Sequence, residues 1–110
     1  MTPARKFDVP AIGLKLDLAR ERQVRQVPEL VARRLGPLDI LINNAGSGVF
    51  YSFESFPEEE IVGQAEVMML GPIRICQRLY GGMRARDRGV IVNVSSLAAK
   101  FPLPFMSMYN

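Results

Sequence analysis

The sequence predicts an α/β fold in which parallel strands alternate with helices. Strand-like and helix-like patterns follow one another in the order strand, helix, strand, helix, strand. The short apolar run Leu38–Ile42 is typical of a central parallel strand, which is buried on both faces. The segments between the strands are long enough for right-handed crossover helices. Residues 1–110 therefore form one domain without repeats or an internal boundary.

The first predicted strand covers residues 11–18 and ends near the acidic Asp17. Residues 1–10 are polar, contain proline and are expected to be irregular. A helix follows from Arg20 to Leu35, because its apolar positions recur at helical spacing. Pro28 lies inside this pattern and either kinks the helix or begins a new first turn. Gly36 and Pro37 then end the helix.

The second strand, residues 38–42, leads into Asn43–Gly46 and an aromatic loop over residues 47–57. A long helix is predicted from Glu58 to Arg84, with acidic residues at its N-terminus and a bend at Gly71–Pro72. The third strand covers residues 89–96 and runs into a loop. Three strands leave a small sheet with a bare edge, so we expect the domain to be partial.

Composition narrows the class of protein. The 110 residues are 48% hydrophobic and 23% charged, which is typical of a globular domain. The net charge of +3 comes from basic residues at helix ends, so a solvated surface is favoured over a nucleic-acid site. One Cys and no His exclude a disulfide framework and argue against a metal site. No apolar run suits a membrane anchor, and a reducing, cytoplasmic location is expected.

Polar clusters follow each predicted strand, where parallel sheets bind ligands. They are Asp17–Leu18, Asn43–Gly46 and Ser95–Ser96. Each cluster alone could equally be an ordinary turn, since Asp, Asn, Gly and Ser favour turns. Three of them at one sheet edge favour a binding site.

The segments Leu38–Gly46 and Gly89–Ser96 resemble the short-chain dehydrogenase/reductase family, whose fold is a Rossmann-like doubly wound parallel sheet. Two spacings agree with that family: Asp17 precedes Asn43 by 26 positions (43 − 17), and Ser96 precedes Tyr109 by 13 (109 − 96). The similarity covers about nine-tenths of the chain. It implies an oxidoreductase that transfers hydride between NAD(P)H and a carbonyl or secondary alcohol.

The resemblance also implies roles for individual residues. Tyr109 would be the general acid/base and would contact the cofactor, and Ser96 would hold the substrate oxygen. Ser95 is the weaker candidate. Asp17 and Leu18 would contact the adenine, while Asn44, Ala45 and Gly46 would approach the ribose. Asn43 is expected to tie neighbouring strands together.

Several family features have no counterpart here. Residues 1–12 contain no glycine-rich phosphate turn, the family lysine would fall at position 113, and the family asparagine is replaced by Met68. In the family, that asparagine supports a water through a distortion of the long helix, and Met68 cannot replace its hydrogen bonds. The alternative is that Met68 is a core residue. The chain alone is therefore expected to be inactive and to bind NADPH weakly.

Two interpretations remain open. In the first interpretation, the chain belongs to a reductase that uses NADP or NAD, with NADP slightly favoured, and acts on an apolar ketone or alcohol. In that case the full-length protein is expected to be a homo-oligomer that pairs through the long helix. Alternatively, the chain is an inactive fold fragment or a dimerising module.

The aromatic loops at residues 50–56 and 101–106 would flank the substrate, or would instead pack on one another.

Overall fold

The structure is a computed structural model that describes residues 9–110. In chain order its helices and strands are α1 (Glu21–Leu35), β1 (Ile40–Asn43), α2 (Glu58–Ala65), α3 (Gly71–Ala85) and β2 (Val90–Asn93). A π-helical segment, Glu66–Leu70, joins α2 to α3, and short 3-10 helices cover Phe53–Ser55 and Leu97–Ala99. The predicted α/β fold with parallel strands is confirmed.

The sheet of the described residues contains β1 and β2, which pair in parallel. Their register places Ile40 opposite Val90 and Asn43 opposite Asn93. Both strands therefore end at the same level. This alignment brings the segments that follow them to one edge of the sheet.

The prediction of a strand over residues 11–18 is wrong, because these residues form no β-ladder with another described strand. The segment nevertheless alternates between exposed and half-buried side chains, and Leu16 and Leu18 pack against the core. A β-strand needs a hydrogen-bonded neighbour, and β1 and β2 bond only to each other among the described residues. The segment therefore has the side-chain alternation of a strand without forming part of the sheet.

Helix α1 confirms the predicted helix to within one residue at its start. It runs without interruption through the buried Pro28, so the alternative of a second helix beginning there is wrong. It ends at Gly36, whose φ of 89° is a conformation that glycine adopts without strain.

The long predicted helix is interrupted just before the expected bend. The π-helical turn Glu66–Leu70 precedes Gly71, and Pro72 falls in the first turn of α3. Pro72 has no N–H to donate to the preceding turn, which fits the irregular π-helical turn just before it. The Arg74 guanidinium donates to Glu66 across this junction and also lies 3.9 Å from Glu21 of α1.

The core lies between α1, α3 and one face of the sheet. Val24, Ile75, Leu79 and Met83 form its buried cluster, against which Leu41 and Ile91 pack. Val24 is fully buried, which stabilises the fold by about 2 kcal/mol.

The opposite face of the sheet is exposed. The strand residues on it are Ile40, Ile42, Val90 and Val92. The expectation that β1 is buried on both faces is therefore wrong for the described residues, because α1 and α3 both pack on the same side of the sheet.

Candidate functional site

The ends of β1 and β2 are joined by a side-chain hydrogen bond. The Asn43 amide nitrogen donates to the Asn93 side-chain oxygen over 2.9 Å, and the same nitrogen lies 3.6 Å from Cys76 Sγ of α3. The predicted role of Asn43 in tying neighbouring strands is confirmed. This contact fixes the starting points of the two loops that follow.

A cavity of about 910 Å³ opens beyond these strand ends. It is lined by the β1 loop (Asn44–Gly48), the β2 loop (Val94–Ser96), one side of the long helix (Gln64, Ala65, Met68, Met69, Pro72, Ile73) and the segment Met108–Asn110. Its volume lies within the range of small-molecule sites. The sheet register therefore builds a concavity where parallel sheets bind ligands.

Five of the seven predicted site residues line this one cavity: Asn44, Ala45, Gly46, Ser96 and Tyr109. Both hydroxyl-bearing residues are half-buried. The spacing of 13 residues thus corresponds to a shared cleft in the fold.

Ser96 is held by a local cap. Its Oγ accepts a hydrogen bond from the Ala98 N–H over 3.2 Å, at the start of the 3-10 helix Leu97–Ala99. The Ser96 O–H is therefore left free to donate to an oxygen in the cavity. Ser95 also lines the cavity but is exposed and receives no such cap.

Tyr109 is positioned by two sets of hydrogen bonds. Its N–H donates to Met106 O over 2.9 Å. The neighbouring Asn110 side chain accepts from Leu103 N–H at 3.2 Å and donates to Leu103 O at 3.0 Å. Asn110, which the sequence interpretation missed, thus locks the preceding loop onto the segment that carries Tyr109. Asn110 and Leu103 are seven positions apart, beyond the short spacings at which local side-chain to backbone bonds recur, so the sequence held little signal for this contact.

The loop that holds Tyr109 also contacts the β1 loop. A Cβ placed on Gly48 would lie 2.5 Å from Met106 Cε and 3.5 Å from the Tyr109 ring. Glycine at this position therefore permits the two loops to approach closely. Nothing in the turn composition of residues 44–48 distinguishes Gly48 from an ordinary turn glycine.

Met68 lies within the π-helical segment and lines the cavity. Its Sδ would be 3.5 Å from a Cβ on Gly46. The local distortion that the resemblance implies for this helix is present, although a thioether stands where the family has an amide. Met68 is half-buried, so its side chain forms part of the cavity wall.

Gln64 is a second residue that the sequence interpretation missed. It lines the cavity one helical turn before Met68 and is only 4% exposed. Neither its side-chain nitrogen nor its oxygen has a hydrogen-bond partner among the described residues. An unpaired buried amide costs about 1–3 kcal/mol. One feature of the sequence could have identified Gln64: it is a polar residue three positions after Ile61, on the apolar side of the predicted helix.

Asp17 and Leu18 lie away from the cavity. The two Asp17 carboxylate oxygens accept from Ala19 N–H at 3.0 Å and from Arg20 Nε at 3.2 Å, at the start of α1. Asp17 therefore serves the turn into α1, as the alternative interpretation allowed. Each carboxylate oxygen still has acceptor capacity, so an adenine contact remains chemically available.

The aromatic loops do not line the cavity. The Tyr51 and Phe56 rings pack with centroids 5.1 Å apart, and Tyr51 N–H donates to Phe105 O over 2.9 Å. Phe50, Phe53 and Phe101 are largely exposed. The alternative in which these loops pack on one another is supported, and the expectation that they flank the substrate is not.

The described cavity lining is uncharged and mixed in polarity. Oxygen and amide groups from Asn44, Ser96, Tyr109 and Gln64 share it with methionine, proline and isoleucine side chains. Asn44, Ala45 and Gly46 are exposed and small, so their backbone can be approached closely. These residues fit the ribose and nicotinamide part of a dinucleotide that the resemblance implies.

Two further properties concern the described residues alone. Within residues 9–110, no group of three or more His, Cys, Asp or Glu side chains is placed to hold a metal ion. None of the helices in that range has the length and hydropathy needed to cross a bilayer.

Known proteins share both this sequence pattern and this fold. The chain is 33% identical over 97 residues to 3-ketodihydrosphingosine reductase of Bacteroides thetaiotaomicron, covering 88% of the chain and 36% of that protein. It superposes on L-sorbose reductase of Gluconobacter frateurii, solved with NADPH and L-sorbose, with a TM-score of 0.88 and 32% identity. The match covers 96% of this chain and 40% of that protein.

A second solved structure is similar. It is a gluconate 5-dehydrogenase of Burkholderia cenocepacia in complex with NADP and tartrate, with a TM-score of 0.78 and 29% identity. The match covers 86% of this chain and 37% of that protein. The chain thus spans little more than a third of the length of these relatives. The family model described as short chain dehydrogenase matches residues 3–110. Because this match extends over nearly the whole sequence, the chain belongs to the short-chain dehydrogenase family.

Proposed function

We propose that the protein carrying this chain transfers hydride between NAD(P)H and a carbonyl or secondary alcohol. The observation that carries the proposal is that Ser96 and Tyr109 line one cavity together with the ends of two parallel strands. In this assignment, Tyr109 and Ser96 are the catalytic residues.

The two hydroxyls have complementary tasks. Ser96 donates its free O–H to the substrate oxygen and orients the carbonyl, since its Oγ is already fixed by Ala98 N–H. Tyr109 gives its phenolic proton to that oxygen during reduction and takes it back during oxidation. When bound, the nicotinamide supplies or accepts the hydride.

A phenol is a weak base at neutral pH, so this role requires a nearby cation. The described cavity lining carries no charged side chain. The proposal therefore requires the lysine that the family places at position 113.

The cofactor is proposed to be NADP or NAD, with NADP favoured. Two similar solved structures contain NADPH and NADP, which supports this assignment. Asn44, Ala45 and Gly46 are proposed to contact the ribose at the cavity edge. Asp17 and Leu18 are proposed to contact the adenine, with Asp17 using the acceptor capacity that its local partners leave free.

The substrate is proposed to have an apolar body. The long helix contributes apolar side chains to the lining of the cavity, namely Met68, Met69, Pro72 and Ile73. The similar proteins are named for different substrates, 3-ketodihydrosphingosine and L-sorbose, so their names do not select one class.

The proposal is tested with the full-length protein by following NADPH consumption with a panel of aliphatic and cyclic ketones. Wild type is expected to reduce at least one member, and Tyr109→Phe to abolish turnover while cofactor binding persists. Tyr80→Phe is the matched control, because Tyr80 is an exposed residue of α3 outside the cavity. Full activity in Tyr109→Phe would refute the role of Tyr109.

A second candidate function is a non-catalytic pairing module. The exposed apolar face of β1 and β2 and the replacement of the family asparagine by Met68 favour it. This candidate predicts that the full-length protein forms dimers and binds neither cofactor. An NADPH titration discriminates the two candidates. Both are compatible with dimers, but a tight NADPH complex would exclude the second.

A further inference from the structure

The ion pair between Arg74 and Glu66 spans the π-helical turn that separates α2 from α3. One terminal nitrogen of Arg74 donates to the Glu66 carboxylate, and the other lies 3.9 Å from Glu21 Oε2 of α1. Only 17% of the Arg74 side chain and 25% of the Glu66 side chain are exposed. Water and salt therefore compete less for this pair than for an ion pair on the open surface.

The π-helical turn changes the direction in which side chains point along the long helix. Gly71 N–H donates to Glu66 O, a bond that encloses one residue more than an α-helical turn does. Over eight residues, an uninterrupted α-helix turns about 80° beyond two full turns. The extra residue absorbs about 100° of that rotation, so residues eight apart across the turn point in nearly the same direction.

Two sets of side chains depend on this alignment. On one side of the helix, residues four and eight apart line the cavity, namely Gln64, Ala65, Met68, Met69, Pro72 and Ile73. Glu66 and Arg74 each follow a member of this set by two positions, which places them on the opposite side, toward α1. In an uninterrupted helix, both sets would be spread over about 80°. The ion pair and the cavity lining therefore require the same π-helical turn.

We propose that Arg74 is a positioning residue that, through Glu66, holds the π-helical turn and so sets the placement of Met68 and Met69 in the cavity. This inference rests on the proposed function, for which it identifies the device that selects substrates by size. Met68 and Met69 lie inside the turn, and both line the cavity. Without the ion pair, the turn loses the side-chain contact that joins its first residue to α3, and the two thioether side chains shift.

The placement of the two methionines is measured by NMR of the full-length protein with isotope-labelled methionine methyl groups. Arg74→Leu removes the guanidinium, and Glu66→Gln removes the charge of its partner at nearly constant shape. Both substitutions are expected to shift or broaden the methyl signals of Met68 and Met69, which Met68→Leu and Met69→Leu assign.

Arg33→Leu is the matched control for this measurement. Arg33 pairs with Glu29 on α1, outside the cavity, and these side chains are 74% and 69% exposed. An exposed ion pair of this kind contributes little, so the signals of Met68 and Met69 should stay where they are in wild type.

Substrate selection provides a second readout. The ratio of kcat/KM for a long and a short straight-chain methyl ketone is compared between wild type and the variants. Arg74→Leu and Glu66→Gln should change this ratio about tenfold or more, the effect of a misfit of about one methylene group. Arg74→Lys should keep most of the wild-type ratio, because its ammonium group still pairs with Glu66. An ion pair that only stabilises the fold would lower the unfolding midpoint and leave the ratio unchanged.

The two readouts separate this inference from the proposed function. If wild type reduces no ketone, the proposed chemistry fails, whereas displaced methionine signals in both variants still support the positioning role of Arg74. Unchanged signals of Met68 and Met69 in Arg74→Leu and Glu66→Gln would overturn the inference, and so would an unchanged ketone ratio in an active enzyme. If Arg74→Leu does not fold, Glu66→Gln decides, since it removes one charge and alters the shape very little.

Discussion

The Asn43 side chain donates to the side chain of Asn93 over 2.9 Å at the position where β1 and β2 end in register. This bond joins the two strands at the level from which both cavity loops depart. It therefore couples the stability of the small sheet to the shape of the site.

Removing this bond should destabilise the protein modestly. Asn43→Ala is expected to lower the free energy of unfolding by about 1 kcal/mol, the typical net value of one such hydrogen bond. Urea unfolding monitored by circular dichroism measures the effect. Asn44→Ala is the control, because Asn44 is exposed and has no side-chain partner among the described hydrogen bonds. Equal destabilisation by the two substitutions would contradict the structural role of Asn43.

Two glycines of the long helical region should respond in opposite directions to alanine. A Cβ on Gly71 would lie 3.0 Å from Glu66 O and 3.1 Å from Leu18 O, both backbone atoms, whereas a Cβ on Gly63 meets nothing within 4 Å. Gly71→Ala is expected to destabilise the protein by about 1–3 kcal/mol through overpacking. Gly63→Ala should stabilise it by about 0.5–1 kcal/mol, because alanine loses less entropy in a helix.

Thermal and urea unfolding of the two single variants check this pair. Gly71 is also the point where α3 approaches the extended segment that carries Asp17 and Leu18. A neutral Gly71→Ala would mean that this segment can move away from α3 at little cost.

The two adjacent serines should differ in their effect on turnover. Ser96→Ala is expected to lower kcat about 100-fold, the usual loss for one hydrogen-bond donor to a reacting oxygen. Ser95→Ala should change kcat by less than about threefold, since Ser95 is exposed and has no orienting bond. Steady-state kinetics of the full-length protein decide between them. A larger loss in Ser95→Ala would reverse the assignment.

Acid should weaken the contribution of Glu21 to stability. Its hydrogen bond with Arg25, and then the charges of Arg25, Arg74 and Arg78, hold the pKa of Glu21 below the ordinary value of 4.5. Because the pKa is lower in the folded state than in the unfolded state, the contribution is complete above pH 4.5 and disappears as the pH falls through the depressed value.

The measurement compares wild type with Glu21→Gln by urea unfolding between neutral and strongly acidic pH. The difference in their unfolding free energies should be constant near neutrality and shrink below pH 4.5. Glu58→Gln provides a control at another helix start, for which no ion pair is present among the described residues. A difference that grows with acidification would reverse the predicted sign.

The amino-acid sequence by itself determined helix α1, the two paired strands and part of the lining of the site. Helical periodicity and Gly36 defined α1, and apolar runs followed by polar clusters located β1, β2 and the loops that carry Asn44 and Ser96. These features depend on near neighbours in the chain, where residue preference and spacing act directly. Tyr109 was identified only through the family resemblance.

Only the tertiary structure decided which partners each element meets. The segment 11–18 has the alternation of a strand but no adjacent strand among the described residues. Gln64 lies on a predicted helix, but its burial without a hydrogen-bond partner among those residues is visible only in the packed structure. Hydrogen-bond ladders and burial depend on residues distant in sequence, so the pattern of a single segment does not contain them.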